Sequence, residues 1–125
     1  MVYVSTKRFY PLLRLASFTG MRRSELLGLL WRDVDLDAAV VRVRRARIKD
    51  GYEMVEKERP KSSRGRRVID IDPTTVAVLR QWRRDQDCER REWAEAYEDS
   101  GAVFTNENGT KLYADRIAQA YGRRL

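Results

Sequence analysis

The residues best suited to chemistry lie around Arg22, which follows a glycine turn and precedes a leucine-rich segment. Gly20 permits a tight turn, so Arg22 is expected at the entrance to a helix, where backbone N–H groups also favour phosphate. A guanidinium offers two parallel donors to two phosphate oxygens and keeps its charge at physiological pH. Glu25, three residues later on the same side of the first helical turn, is placed to orient that arginine. Residues of these types at this spacing could bind a phosphate, although an arginine after Gly-Met, taken alone, would usually be a surface residue.

A basic segment over residues 42–67 points to the same kind of ligand. It holds eleven basic and four acidic residues, and this surplus of seven equals the net charge of the whole chain, +7. A neutral body that carries one basic segment is typical of proteins that bind polyanions. A solvated charged face is the alternative interpretation of the same pattern. The residues of this segment that we expect to contact DNA are Arg45, Arg47, Lys49, Arg59, Arg64 and Arg66.

The composition gives little support to other kinds of chemistry. With one cysteine and no histidine, the sequence predicts no internal disulfide, no metal cluster and no histidine-activated thiol. Cys88 lies in a charged stretch and is interpreted as a bystander. No apolar run approaches the length of a membrane span, and residues 1–4 do not have the layout of a signal peptide. The cysteine usage fits a reducing compartment.

Two helices and three strands are expected to position these residues. Hydrophobic periodicity predicts helices over residues 7–17 and 23–31, separated by the Thr-Gly turn. Runs of β-branched and alternating residues predict the strands, and the Asp-Gly pair at 50–51 predicts a hairpin turn between the first two. The predicted strands cover residues 40–43, 52–57 and 67–71.

The second half of the chain is expected to be mainly helical. Asp72 is the predicted N-cap of a long helix that starts at Pro73 and runs past residue 90. A short extended segment over residues 102–105 and a last helix over residues 112–121 follow. Together the elements predict an α+β fold that is mainly helical with a small three-stranded antiparallel sheet, arranged as a meander.

Residues 19–35 closely resemble the first signature block of the tyrosine recombinases, the family of the phage-type integrases. In that family a Thr-Gly turn and a bulky apolar residue precede an invariant arginine. A Ser/Gly-Glu pair, a leucine-rich helix and a Trp-x-Asp tail complete the block. The resemblance implies the core fold of the DNA breaking-rejoining enzymes, with Arg22 as a catalytic residue on the scissile phosphate and Glu25 as its support.

Residues 60–71 resemble the β-hairpin block of the same family, and residues 102–109 resemble its short Val-Phe-Thr/Pro…Gly segment. The resemblance implies that Lys61 is the general acid that protonates the leaving 5′-hydroxyl. Such a role requires a lysine whose pKa is lowered by neighbouring cations, and several arginines lie close to it in sequence. A register shift onto an adjacent basic residue remains open.

In this family, a tyrosine attacks the scissile phosphate without a metal and forms a 3′-phosphotyrosine. A complete active site also contains a His-x-x-Arg block, but this sequence has no histidine, and Tyr113 and Tyr121 come too early in the family order. We therefore expect residues 1–125 to be a partial catalytic domain that lacks this block, the nucleophilic tyrosine and the N-terminal core-binding domain. The expected function is DNA integration or site-specific recombination by the parent enzyme, with this chain inactive alone.

The expected partners are double-stranded DNA and, in the parent protein, other recombinase protomers. No cofactor, metal or membrane is expected, and the expected location is the cytoplasm, for a bacterial or phage-encoded protein. Two alternatives stay open: a small non-catalytic nucleic-acid-binding or regulatory module, and an excised piece that is active only when its missing half is supplied. A stable, tightly binding monomer would favour the first of these.

Overall fold

The computed structural model describes residues 8–50, 53–58, 65–113 and 116. Within these ranges the chain is α+β, as predicted, with helices α1 (Tyr10–Thr19), α2 (Arg23–Leu27) and α3 (Pro73–Trp93). Single 3-10 turns follow at Trp31–Asp33 and Ala94–Ala96. The strands are β1 (Val34–Asp35), β2 (Val40–Val43), β3 (Arg45–Asp50), β4 (Glu53–Glu58) and β5 (Arg67–Asp70).

The Thr-Gly turn ends α1 and directs the chain toward Arg22. Gly20 adopts a left-handed conformation (φ 69°, ψ 15°), and its N–H donates to the carbonyl of Ala16 at 3.1 Å. Glycine adopts this conformation without the steric cost that a Cβ would add. Pro11 lies in the first turn of α1, where its missing N–H removes no helical hydrogen bond.

The second helix is shorter than predicted, because its last leucines pair with another part of the chain. The N–H of Val103 donates to the carbonyl of Leu29 at 3.0 Å, and Leu30 forms an antiparallel bridge with Ala102. Gly28 lies against β3, so that an added Cβ would be 3.0 Å from the backbone nitrogen of Arg47. Leu26, Leu27 and Leu29 are buried, but only the first part of the leucine-rich segment is helical.

The predicted three-stranded antiparallel sheet is present, with strand order β1-β2-β5. Val41 lies opposite Ile69 in its register, and Val34 lies opposite Val41. Val41 and Val43 point into the core, with exposed fractions of 0% and 2%. The sheet thus connects the segment that follows α2 to the segment that precedes α3.

The predicted meander is wrong in its pairing, because the hairpin strands do not join this sheet. Among the described residues, β3 and β4 pair with each other alone, and β5 pairs directly with β2. The chain leaves the first sheet at Arg44, beside the buried carboxylate of Asp33, which pairs with Arg44 at 3.8 Å and also with Arg45. The third strand of the sheet is instead β1, which was not among the predicted strands.

α3 follows its sequence signals closely and carries much of the core. Asp72 accepts a hydrogen bond from the backbone N–H of Thr75 at 3.2 Å, which confirms the predicted N-cap. Trp82 is 4% exposed and donates from its indole N–H to the carbonyl of Val103 at 2.6 Å. In the described ranges no helix is both long and apolar enough to span a membrane. Five apolar side chains with no exposure mark the centre of the core: Leu15, Val41, Leu79, Val103 and Leu112.

The segment after α3 folds back on itself through a β-bridge and a turn. Thr105 forms an antiparallel bridge with Lys111, and Asn106 accepts a backbone hydrogen bond from Gly109 at 2.9 Å. The predicted helix over residues 112–121 lies mostly outside the described residues. Of its described members, Leu112 is not helical and Arg116 is.

Gly109 is expected to tolerate no side chain. Its φ is +88°, and an added Cβ would lie 2.2 Å from the carbonyl oxygen of Glu98. Gly109→Ala should lower the free energy of unfolding by about 2–5 kcal/mol, the sum of left-handed strain and overpacking. Gly101 has φ +74° with nothing within 4 Å of its added Cβ, so Gly101→Ala should lose only the strain, about 1–2 kcal/mol. Equal losses in urea unfolding would contradict the predicted clash.

Two arginines bracket Glu107 and tie the segment after α3 to the rest of the fold. Arg116 makes a two-fold contact with the carboxylate at 2.9 and 3.1 Å, and Arg8 lies 4.0 Å from it. The hydrogen bond from Arg116 lowers the pKa of Glu107 from 4.5 to about 2. Arg8 is itself buried against Trp82 and pairs with Glu89.

This depressed pKa predicts a loss of stability in acid. A carboxyl group whose pKa falls on folding stabilises the protein above its unfolded pKa, and that contribution is lost as the pH falls from about 4.5 toward 2. Glu107→Gln should therefore be less stable than wild type at neutral pH, and the difference should shrink in acid. Urea unfolding over that pH series measures the difference, and a gap that stays constant with pH would contradict the account.

Candidate phosphate-binding site

Arg22 lies at the N-cap of α2, as its spacing from Gly20 predicts. Its backbone is extended (φ −75°, ψ 153°), and its carbonyl accepts the N–H groups of Glu25 and Leu26, both at 3.0 Å. The residue is exposed, and its guanidinium forms no ion pair with any carboxylate in the part of the chain that the structure describes. An exposed cation without a protein counter-ion is available to an external anion.

Glu25 supports Arg22 through the backbone rather than through the guanidinium. Its side chain is fully buried, and Oε1 accepts the backbone N–H of Arg22 at 3.0 Å. Its guanidinium partner is Arg67 on β5, which donates Nη1 to Oε2 and Nη2 to Oε1, each at 2.9 Å. Because burying a carboxylate costs free energy unless it is hydrogen-bonded, this two-fold contact with Arg67 offsets the cost of placing Glu25 in the interior.

Arg67 joins three parts of the site. It lies opposite Val43 in the three-stranded sheet, it grips Glu25, and its Nη1 also donates to the carbonyl of Gly65 at 3.2 Å. The hydrogen bond to Glu25 raises the pKa of Arg67 above its ordinary value. Arg67 therefore contacts Glu25, which supports Arg22, and Gly65, the first described residue after the segment that contains Lys61.

Part of the predicted site lies outside the described residues. This holds for Lys61 and for two of the predicted DNA contacts, Arg59 and Arg64, and their roles stay predictions. Lys49 belongs to β3, opposite Met54, but its side chain is also outside the description. The neighbouring described residues, Glu58 and Gly65, fix where this segment leaves and rejoins the fold.

The described DNA-contact candidates are already engaged within the protein. Arg45 is paired with the buried Asp33, and Arg47 donates to the carbonyl of Leu112 at 3.3 Å. Arg66 is exposed and pairs with Glu58 at 3.0 Å. Exposed pairs of this kind contribute little and open readily to a competing anion, so Arg66 is better placed for DNA than the other two. Their contacts with DNA remain predictions.

Two open cavities extend the basic surface away from Arg67. The smaller, about 280 Å³, is lined by Arg42, Val43, Arg44, Arg66, Arg67 and Val68. The larger, about 480 Å³, lies between β1 and α3, and its charged lining consists of Arg32, Arg42, Arg80, Arg83, Arg84, Asp35, Asp37 and Asp87. The arginines of α3 were not predicted as a site, because their segment alternates acid and base and carries no excess charge in sequence.

Among the residues that the structure describes, no group of three His, Cys, Asp or Glu side chains could hold a metal ion. Cys88 is exposed on α3, and Arg91 donates to its sulfur at 3.4 Å. Its charged surroundings match the expectation from sequence, and its interpretation as a bystander stays a prediction.

The fold and the site around Arg22 were compared with known protein families. The model of the phage integrase family matches residues 3–124 of this chain. The chain belongs to the phage integrase family.

Relatives of known name agree with this assignment. A "Tyrosine recombinase XerC-like" protein of Caldanaerobacter subterraneus subsp. tengcongensis is 31% identical over 131 residues, which cover 94% of this chain and 33% of the relative. The integrase of Staphylococcus phage L54a is 30% identical over 103 residues, or 81% of this chain and 29% of the relative. The chain thus spans about a third of the length of these relatives.

Solved structures share the fold. The Tn1549 transposon integrase, in complex with transposon right end DNA, superposes with a TM-score of 0.75 at 21% identity, covering 94% of this chain and 36% of that one. The XerA recombinase superposes with a TM-score of 0.61 at 18% identity, covering 95% of this chain and 34% of that one. These likenesses confirm the predicted fold of the tyrosine recombinase catalytic core.

Proposed function

We propose that this chain supplies the phosphate-binding part of a tyrosine recombinase that cuts and rejoins DNA during integration or site-specific recombination. The observation that carries the proposal is the exposed Arg22 guanidinium, which has no carboxylate partner among the described residues and whose backbone is fixed by the buried Glu25. Its ligand would be a phosphate of double-stranded DNA.

The comparisons support DNA as the partner. The relatives are named as tyrosine recombinases or integrases, and the Tn1549 integrase was solved in complex with DNA. The basic cavities beside Arg67 add cationic surface on which a duplex backbone could continue beyond Arg22. We propose accordingly that the protein, bacterial or phage-encoded, acts on DNA in the cytoplasm together with other recombinase protomers.

In the proposed mechanism Arg22 acts on the charge of the phosphate during strand cleavage. Its two parallel donors would bind the non-bridging oxygens, and they would bind more strongly as negative charge grows in the phosphorane-like transition state. Lys61 would donate a proton to the leaving 5′-hydroxyl. The attacking tyrosine and the His-x-x-Arg block would have to come from outside these 125 residues, because the chain contains no histidine.

Duplex binding by the chain tests the proposal. Fluorescence anisotropy with a labelled duplex of arbitrary sequence should show weak binding that falls steeply as salt rises from about 50 to 200 mM, because each phosphate contact releases counter-ions. The same affinity is expected for unrelated sequences. Binding that stays flat over this salt range would contradict phosphate recognition.

A covalent trapping assay tests whether the nucleophile of the active site lies outside these 125 residues. Incubation with a nicked suicide duplex should leave no protein attached to DNA, because the proposed nucleophile is not among these residues. Denaturing electrophoresis separates free from attached protein. A covalent adduct that disappears in Tyr113→Phe or Tyr121→Phe would show that this chain carries its own nucleophile and would overturn the proposal.

A further inference from the structure

We infer that Arg67 is a positioning residue that holds the Arg22 turn in place through Glu25. The inference deepens the proposed function and rests on it. Arg67 makes the two-fold contact with Glu25, Glu25 holds the backbone N–H of Arg22, and Arg67 also holds the carbonyl of Gly65.

The buried position of Glu25 makes this chain of contacts stiff. Its side chain has no exposure, whereas that of Arg67 is 25% exposed, so water cannot replace the arginine on the carboxylate. With both oxygens held by Arg67, Oε1 is fixed at 3.0 Å from the Arg22 N–H. A change in the hydrogen bonds between Arg67 and Glu25 therefore changes the position of the Arg22 backbone.

The sheet gives Arg67 a fixed base. β5 pairs with β2 over four residue pairs, and Arg67 lies opposite Val43, which is 2% exposed. The guanidinium thus reaches from the buried side of a paired strand to α2. Because Arg67 acts on Glu25 from a paired strand, it can fix the position of the Arg22 backbone without touching DNA itself.

The geometry separates this role from that of a simple surface charge. Arg67→Lys keeps the positive charge but replaces a planar fork by a point charge that cannot contact both oxygens of Glu25 in the same way. A contribution of charge alone would survive this change, whereas positioning of Arg22 would not.

A double-mutant cycle on duplex affinity tests the inference. Affinities are measured by anisotropy at about 50 mM salt for wild type, Arg67→Lys, Arg22→Gln and the double variant. Arg67→Lys should weaken binding about fivefold when Arg22 is present and less than about twofold when it is absent, as expected for coupled residues. Equal losses in both backgrounds, or no loss in either, would overturn the inference.

Hydrogen exchange of the Arg22 amide supplies a second readout that needs no DNA. Arg67→Lys should increase exchange at this amide selectively, because the bond to Glu25 is loosened, while core amides of α3 keep their protection. Arg90→Lys is the matched control, since Arg90 pairs with the exposed Asp99 at 2.8 Å and should leave the Arg22 amide unchanged. Equal exchange of the Arg22 amide in wild type and Arg67→Lys would overturn the inference.

The two tests separate the inference from the proposed function. If Arg22→Gln binds DNA as wild type does, the proposed function fails, and selective exchange at the Arg22 amide still decides the role of Arg67. Should Arg67→Lys fold poorly, Glu25→Gln with Arg67→Gln replaces it, because removing both charges leaves no buried ion unpaired. Faster exchange at the Arg22 amide in that double variant than in Glu25→Gln alone supports the inference, and equal exchange in the two overturns it.

Discussion

Arg67→Ala is expected to lower the free energy of unfolding by about 3–5 kcal/mol, because it removes both hydrogen bonds that Arg67 donates to the buried carboxylate of Glu25. Each oxygen of that carboxylate lies 2.9 Å from a guanidinium nitrogen of Arg67, and the side chain of Glu25 has no exposure. Water does not reach the buried carboxylate, so solvation does not offset the cost of its negative charge. Urea unfolding followed by circular dichroism measures the loss.

Arg90→Ala is the matched control for this loss. Arg90 also pairs with a carboxylate, but both partners are largely exposed, at 45% and 61% for Arg90 and Asp99. Exposed pairs contribute at most about 1 kcal/mol. A similar small loss in Arg67→Ala would contradict the view that a buried charge depends on Arg67.

Arg22→Gln is expected to weaken duplex binding about tenfold at low salt while leaving stability unchanged. Losing a charge-assisted contact of about 1.5 kcal/mol reduces affinity about tenfold. The side chain is exposed and takes part in none of the described ion pairs, so its removal should not disturb the fold. Anisotropy titration and urea unfolding of the same preparation measure the two effects.

Arg23→Gln controls for the loss of one positive charge in the same helix. Arg23 is also exposed and adjacent to Arg22, but its backbone N–H is not held by Glu25. We expect its affinity to fall less than twofold by the general charge effect. Equal losses at the two positions would mean that the turn around Arg22 has no special role.

Local signals in the sequence predicted the parts of the fold that depend on local contacts. Gly20 and the Asp72 N-cap act within four residues of themselves, and both stand where predicted. The pairing of β5 with β2 and the separation of the β3–β4 hairpin depend instead on residues far apart in sequence. The early end of α2 has the same origin, because Leu29 and Leu30 pair with residues 102–103.

The candidate site shows the same division. The position of Arg22 at a helix entrance and its link to Glu25 follow from a spacing of three residues. The arginine that binds Glu25 lies 42 residues away, in a run of basic residues that local sequence patterns do not distinguish from one another. Arg45 illustrates the converse, since its pairing with the buried Asp33 is invisible in a count of charges.

The central claim is that Arg22 binds a DNA phosphate. The most direct test is the slope of log affinity against log salt for wild type, Arg22→Gln and Arg23→Gln on one duplex. Losing one phosphate contact should make the slope of Arg22→Gln shallower by about 0.9, while Arg23→Gln stays close to wild type. Identical slopes for wild type and Arg22→Gln would contradict the account.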